Sequence, residues 1–209
     1  MGSVSATASV NEAGLPARGS EPAGSNETVN SETTTGTIVF DTPDGLSSIT
    51  LNGVAIAAVG QVFTTPLGRL TITSIAAGNI GYSYTLTDNS TNPNATDVFA
   101  VVVTDIDGDT ATANLTISII DDAPTARNDT DSVAAATYSA QTGNVVTGVG
   151  TTSGSAGADT QGADGAAVSG FRAGTAGSFA GAGTTINGQY GTLLLNADGS
   201  YSYTRNAGT

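Results

Sequence analysis

The stretch that most constrains this chain runs from Asp97 to Asp122, DVFAVVVTDIDGDTATANLTISIIDD. Val98, Ala100 and Val102 alternate with Phe99, Val101 and Val103, so both sides of its first half are apolar. That is the pattern of a strand buried in the middle of a sheet. Ala113, Leu115, Ile117 and Ile119 then alternate with Asn114, Thr116 and Ser118, the period of two of a half-buried strand. The stretch therefore predicts two β-strands joined by a tight acidic loop.

The loop carries Asp105, Asp107 and Asp109, with Gly108 to turn it. Carboxylates this close repel one another, and a bound cation relieves the repulsion. Ca²⁺ suits them because it takes about six to eight oxygen ligands in a flexible geometry. The loop is not an EF-hand: counted from Asp105, Gly108 stands fourth and Thr116 twelfth, where that motif needs Gly at six and Glu at twelve. Asp and Gly also occur in turns for local reasons, so a solvated hairpin loop without metal is the competing reading.

Composition narrows the function classes. The net charge is −13, and the five basic residues are all arginine. Phosphate contacts need clustered Arg or Lys, so nucleic acid is not an expected partner, and neither is an anionic membrane surface. No run of about 20 apolar residues is present to insert into a bilayer. The first ten residues, MGSVSATASV, lack the charged start and apolar centre of a secretory signal, and Met1-Gly2-Ser3 reads as a cloning remnant. With no cysteine and no histidine, disulfides, thiolate sites, Ser-His-Asp triads and HExxH zinc sites are all ruled out.

Thr, Val and Ile favour strands, while frequent Gly, Asn and Asp favour turns, so the chain reads as all-β. Residues 1–11 are expected to be a tag or preceding linker, and the stretch up to Glu32 a loose lead-in with one short edge strand at most. Glu12 there reads on spacing alone as a solvated surface acid. Strands are predicted at 35–41, 46–51, 54–58, 61–65, 68–75 and 80–87, followed by a loop from Asp88 and then the hairpin. Asn52-Gly53 is the strongest short turn signal. Seven or eight evenly spaced strands over residues 12–122 predict a β-sandwich. Residues 123–132 are expected to be an acidic linker stiffened by Pro124, with a plain solvated spacer as the alternative.

Residues 133–209 form a second, weaker segment, with strands expected near Val145, at 167–171, 185–187, 191–195 and 200–204 and a long Gly-rich loop at 148–165. It repeats part of the first: GRLTIT and GNIGYSYTLT correspond to GTLLLN and DGSYSYTRN, so that Tyr82 and Tyr84 match Tyr201 and Tyr203. Counterparts of the two strands of the opening stretch are missing from it. Tyr at i and i+2 share one face, which suits ordinary sheet packing better than a sugar platform.

NEAGLP at 11–16, TPDGLSSITLNG at 42–53 and TDVFAVVVTDIDGDTATANLTISIIDDAPTA at 96–126 resemble the repeats of giant type I secreted RTX adhesins of the Bap biofilm type. INGQYGTLLLNADGSYSYT at 186–204 resembles the related VCBS repeat. The resemblance implies tandem Ig-like or cadherin-like β-sandwiches, secreted to the bacterial cell surface, with Ca²⁺ near the domain junctions; the departure from it is that the second repeat reads as C-terminally truncated. Type I export would account for the missing N-terminal signal.

In a seven-stranded sandwich the loop between the last two strands lies where the chain enters. Asp105, Asp107 and Asp109 are thus expected at that pole near Glu12, and Asp88 at the exit pole near Asp121 and Asp122, with Asp129 or Asp131 completing a linker site. The expected partners are neighbouring repeats of the same chain, and other cells or surfaces reached through distal domains. The expected role is structural extension in adhesion and biofilm formation. The rival is a carbohydrate- or host-surface-binding module. An enzyme with paired carboxylates is not expected, since no acid stands in an apolar setting that would raise its pKa.

Overall fold

The structure, a computed structural model, describes residues 6–208, so the expectation for Met1-Gly2-Ser3 falls outside the described residues. In chain order the strands are β1 (Ala6–Asn11), β2 (Thr33–Val39), β3 (Leu46–Leu51), β4 (Val54–Ala55), β5 (Val62–Thr64), β6 (Gly68–Ala76), β7 (Asn79–Leu86), β8 (Thr96–Asp105), β9 (Thr110–Ile120), β10 (Gln141–Asn144), β11 (Gly170–Phe171), β12 (Ala180–Gly181), β13 (Thr184–Asn187), β14 (Gly191–Leu195) and β15 (Ser200–Arg205). The only helical pieces among the described residues are two 3₁₀ turns, Glu12–Gly14 and Gly154–Ala156. The fold is all-β. The chain divides after Asp122 into two compact units.

The first unit is a sandwich of a five-stranded sheet, β1-β9-β8-β3-β4, and a four-stranded sheet, β2-β7-β6-β5. β8 and β9 form the expected hairpin, paired antiparallel from Thr96↔Ser118 to Thr104↔Thr110. Phe99, Val101, Val103, Leu115, Ile117 and Ile119 face inward, as do Leu70, Ile72, Tyr82 and Tyr84 of the other sheet. The two layers meet where the Tyr84 and Phe99 rings pack edge to face, 6.1 Å between centroids.

β8 is central in its sheet but is not buried on both faces. Its exposure alternates, with Val98 42% exposed and Ala100 open to solvent. In a two-layer sandwich a central strand has a partner sheet on one side only, and apolar residues on the other side remain outside.

The unit also begins earlier than the sequence suggests. Residues 6–11 are not tag or linker: β1 lies parallel to β9 from Ala6↔Leu115 to Asn11↔Ile120, covering what would otherwise be an open sheet edge. Ala6, Ala8 and Val10 supply the inward phase, and two alanines make a weak apolar signal. Nor is the following stretch loose. Leu15 is fully buried, and Asn11, Gly24, Asn26 and Leu86 N–H groups bond to the carbonyls of Ser31, Leu15, Ala13 and Glu32.

The second unit is built on the sheet β10-β15-β14-β13, with β11 and β12 pairing separately. The internal repeat holds at the level of register. Leu70↔Tyr84 and Ile72↔Tyr82 in the first unit correspond to Leu193↔Tyr203 and Leu195↔Tyr201 in the second. Each unit also seats a tyrosine over a glycine on the neighbouring strand, Tyr82 over Gly36 and Tyr201 over Gly143, where a Cβ would strike the ring. Among the described residues, the second unit has no counterpart of β8 and β9.

Residues 123–132 do not form a free linker. Thr125 bridges to Thr160, Arg127 N–H donates to Asp159 at 2.7 Å, and the Thr130 carbonyl accepts from Thr152 and Ser153, so the segment is fastened to the second unit.

Candidate functional site

The acidic loop is built by the end of β8. Asp105, paired with Leu46, is 3% exposed, and its Oδ1 accepts from the backbone N–H of Gly108 at 3.1 Å and of Asp109 at 2.8 Å. Gly108, at φ +100°, supplies the left-handed step that closes the turn. The neighbouring Thr42–Gly45 turn braces the loop through Ile106 N–H, which donates to the Gly45 carbonyl.

Carboxylate oxygens of Asp105, Asp107 and Asp109 come within 4.8 Å of one another, with Asp107 and Asp109 open to solvent. The Asp105 carboxyl is held below its ordinary value, first by its hydrogen bond with Asp107 and then by the backbone N–H groups of Asp109 and Gly108. Asp107 is pushed up by the same contact and by the nearby charge of Asp105. Asp105 and Asp107 thus form a coupled pair in which one carboxyl is favoured and the other disfavoured as the anion. The donors are hard oxygens only, and Asp105 spends one oxygen on the turn. Such a set could hold a hard cation on one side, with backbone carbonyls or water needed to complete the shell.

Glu12 does not join this loop. Because β1 runs parallel to β9, Glu12 follows Asn11 beside Ile120, at the opposite pole from Asp105. The eleven residues of β9 separate the two by roughly 35 Å at about 3.3 Å per residue. Glu12 is also not a surface acid. It is 1% exposed, and its Oε1 accepts from Ser90 N–H at 2.7 Å. A carboxylate oxygen of Glu12 and one of Asp121 lie within 4.8 Å.

The other expected acids are drawn into internal contacts. Asp88 pairs with Arg18 at 3.6 Å, in a contact open to solvent on the Asp88 side. Asp122 clamps the lead-in: its Oδ2 accepts from Ser25 N–H at 2.7 Å and its Oδ1 from the Ser25 hydroxyl at 2.5 Å.

Asp129 and Asp131 belong to the second unit. Asp129 accepts from the Ser153 hydroxyl at 2.9 Å. Asp131 accepts from Ser132 N–H, from the Thr152 hydroxyl and from the Tyr201 hydroxyl. These bonds, that of Tyr201 foremost, hold the Asp131 carboxyl below its ordinary value, while burial and then Asp131 push the Tyr201 hydroxyl up.

Asp97 was not singled out from sequence, and it is buried. It is 6% exposed, accepting from the Tyr84 hydroxyl at 2.8 Å and the Thr65 hydroxyl at 2.5 Å. The signal was its parity: Asp97 shares the inward phase of Phe99 and Val101. Burial, followed by Asp97, pushes the Tyr84 hydroxyl far up. Asp97 and Glu12 are thus buried acids held by hydrogen bonds from Tyr84, Thr65 and Ser90.

The second unit also carries a groove of about 500 Å³, lined by Asp131, Tyr190, Leu193, Tyr201, Tyr203 and Arg205 among others. Tyr190 is 60% exposed there.

No known family matches the chain, and no curated protein matches it. Among solved structures, the Bacteroides ovatus mixed-linkage glucan utilization locus SGBP-B, in complex with a mixed-linkage heptasaccharide, aligns with 84% of this chain at 13% identity and a TM-score of 0.18. This chain spans about a third of that one, 33%. Among the described residues, no helix is long and apolar enough to cross a membrane.

Proposed function

We propose that this chain contributes calcium-stabilised structural modules to an extracellular bacterial adhesin, holding a distal binding region away from the cell in adhesion and biofilm formation. The observation that carries the reading is the Asp105–Asp107–Asp109 cluster, whose carboxylates crowd together at the tip of a rigid hairpin. Ca²⁺ bound there would neutralise the crowded charge and tie β8, β9 and the Thr42–Gly45 turn into one body. Glu12 and Asp121 form a second oxygen-rich pair at the far pole. On this reading the chain catalyses no reaction, and its partners are neighbouring repeats.

The test is thermal unfolding in calcium and in chelator. Calcium raises the melting temperature of the wild-type first unit, because a ligand bound to the folded state alone stabilises it by mass action. Asp107→Ala combined with Asp109→Ala removes most of the rise. Identical melting curves in calcium and chelator sink the proposal.

The groove beside Tyr190 and Tyr203 favours a second reading, a carbohydrate-binding module, because aromatic rings flanked by Asp131 and Arg205 suit a sugar face and its hydroxyls. A glycan array distinguishes the two: retention of a sugar by wild type but not by Tyr190→Ala supports the module.

A further inference from the structure

In the first unit the tyrosine face of β6 and β7 is closed by β8. The Phe99 ring packs on Tyr84, the Asp97 carboxylate accepts from the Tyr84 hydroxyl, and both Leu70 and Tyr84 are fully buried. The second unit repeats that face in the same register, with Leu193 in the place of Leu70 and Tyr203 in the place of Tyr84. It even repeats a second notch: a Cβ on Gly68 would meet the Tyr84 ring, and one on Gly191 the Tyr203 ring. Among the described residues the closing element has no counterpart. Leu193 and Tyr203 are only half-buried, and the 500 Å³ groove runs over them.

We propose that this groove is the seat of an arriving β-hairpin with the chemistry of β8 and β9, supplied by a polypeptide segment other than residues 6–208. Its inward-facing residues follow an Asp-x-Phe pattern. The aromatic ring covers Tyr203 and Leu193, and the carboxylate accepts from the Tyr203 hydroxyl, as Phe99 and Asp97 do for Tyr84. Asp131 already accepts from Tyr201, so the site to be completed is the Tyr203 end. The first unit supplies the argument for this occupant, since an identical register of leucine, tyrosine and glycine there is closed in just this way. A sheet face of this kind is covered by a second layer of strands, whose inward side chains interdigitate with its own.

The test grafts a copy of residues 96–120 after Thr209 through a short Gly-Ser linker, in the full chain, and follows amide exchange. Exchange at Leu193–Leu195 and Tyr201–Tyr203 should slow at least about tenfold relative to the ungrafted chain, while Val101–Val103 stay unchanged. A graft whose copy carries Asp97→Asn and Phe99→Ala should lose most of that slowing. So should the intact graft on a Tyr203→Ala host. Should that host fail to fold, Tyr203→Phe keeps the ring and should lose only the part due to the carboxylate. Unchanged exchange, or equal slowing by the altered graft, overturns the proposal. So does concentration-dependent protection of the groove in the ungrafted chain, which would make a second copy the occupant. Displacement of the graft by an oligosaccharide retained on the glycan array would make the groove a sugar site, and also overturns it.

Discussion

Asp97 and Asp131 show how one acid can serve a fold in two ways. Asp97 lies inside the sandwich and satisfies two hydroxyls, so its removal leaves Tyr84 with a buried donor and no acceptor. Such a group costs about 1–3 kcal/mol, and Asp97→Ala should lower the stability of the first unit by that order in denaturant titration, with Asp97→Asn milder. Asp131 sits at the surface and titrates. Its folded value is depressed, so its bond to Tyr201 contributes stability above the ordinary carboxylate range of about 4, and that contribution is lost as pH falls through the depressed value. Unfolding of the second unit followed from neutral to acid pH should therefore show a stability loss that Asp131→Asn lacks. The metal-type cluster of Asp105, Asp107 and Asp109 was legible because three acids within five residues exceed what a turn requires. Asp97 was legible only by parity, and the burial of Glu12 was not legible at all, because it depends on which strand the lead-in joins.

The elements with strong alternation stand where the sequence places them: β3, β6, β7, β8, β9, β14 and β15 follow their apolar periods within a residue or two. β1 escaped because Ala6 and Ala8 hardly contrast with their polar neighbours, and because its pairing with β9 joins positions more than a hundred residues apart. That single pairing also decides geometry. Parallel alignment carries Glu12 to the pole of Asp121, whereas an independent lead-in would have left it free to approach Asp105. Deleting residues 1–11 should uncover the β9 edge and Val10's place in the core. The expected result is a lower melting temperature for the first unit and increased self-association at high concentration, both measurable by calorimetry and light scattering. An unaltered melting temperature would mean that β1 adds nothing to the sandwich.

At the scale of the whole molecule, the two units share a register but differ in completeness. The first buries two facing sheets. The second offers one main sheet and long Gly- and Ala-rich loops, with less apolar surface to offset chain entropy. The partial repeat was readable from the Tyr-x-Tyr strands alone, since the glycine notches and leucine partners come with them. The docking of residues 123–132 onto the second unit was not readable, because it rests on Thr125, Thr130 and Asp159 contacts that have no periodic signature. The acidity of the chain, −13 overall, makes sense if divalent cations are part of its working state. The most direct measurement is a calorimetric calcium titration of the wild-type chain beside the Asp107→Asn, Asp109→Asn double variant, with melting curves at each end point. Calcium binding should be detected in the wild type. At about a hundredfold excess over Kd it should add about 2.7 kcal/mol, raising the melting temperature of the first unit by on the order of ten degrees. The double variant should lose at least one site and most of that rise. No heat of binding, or the same heat and the same rise in both proteins, would contradict the account.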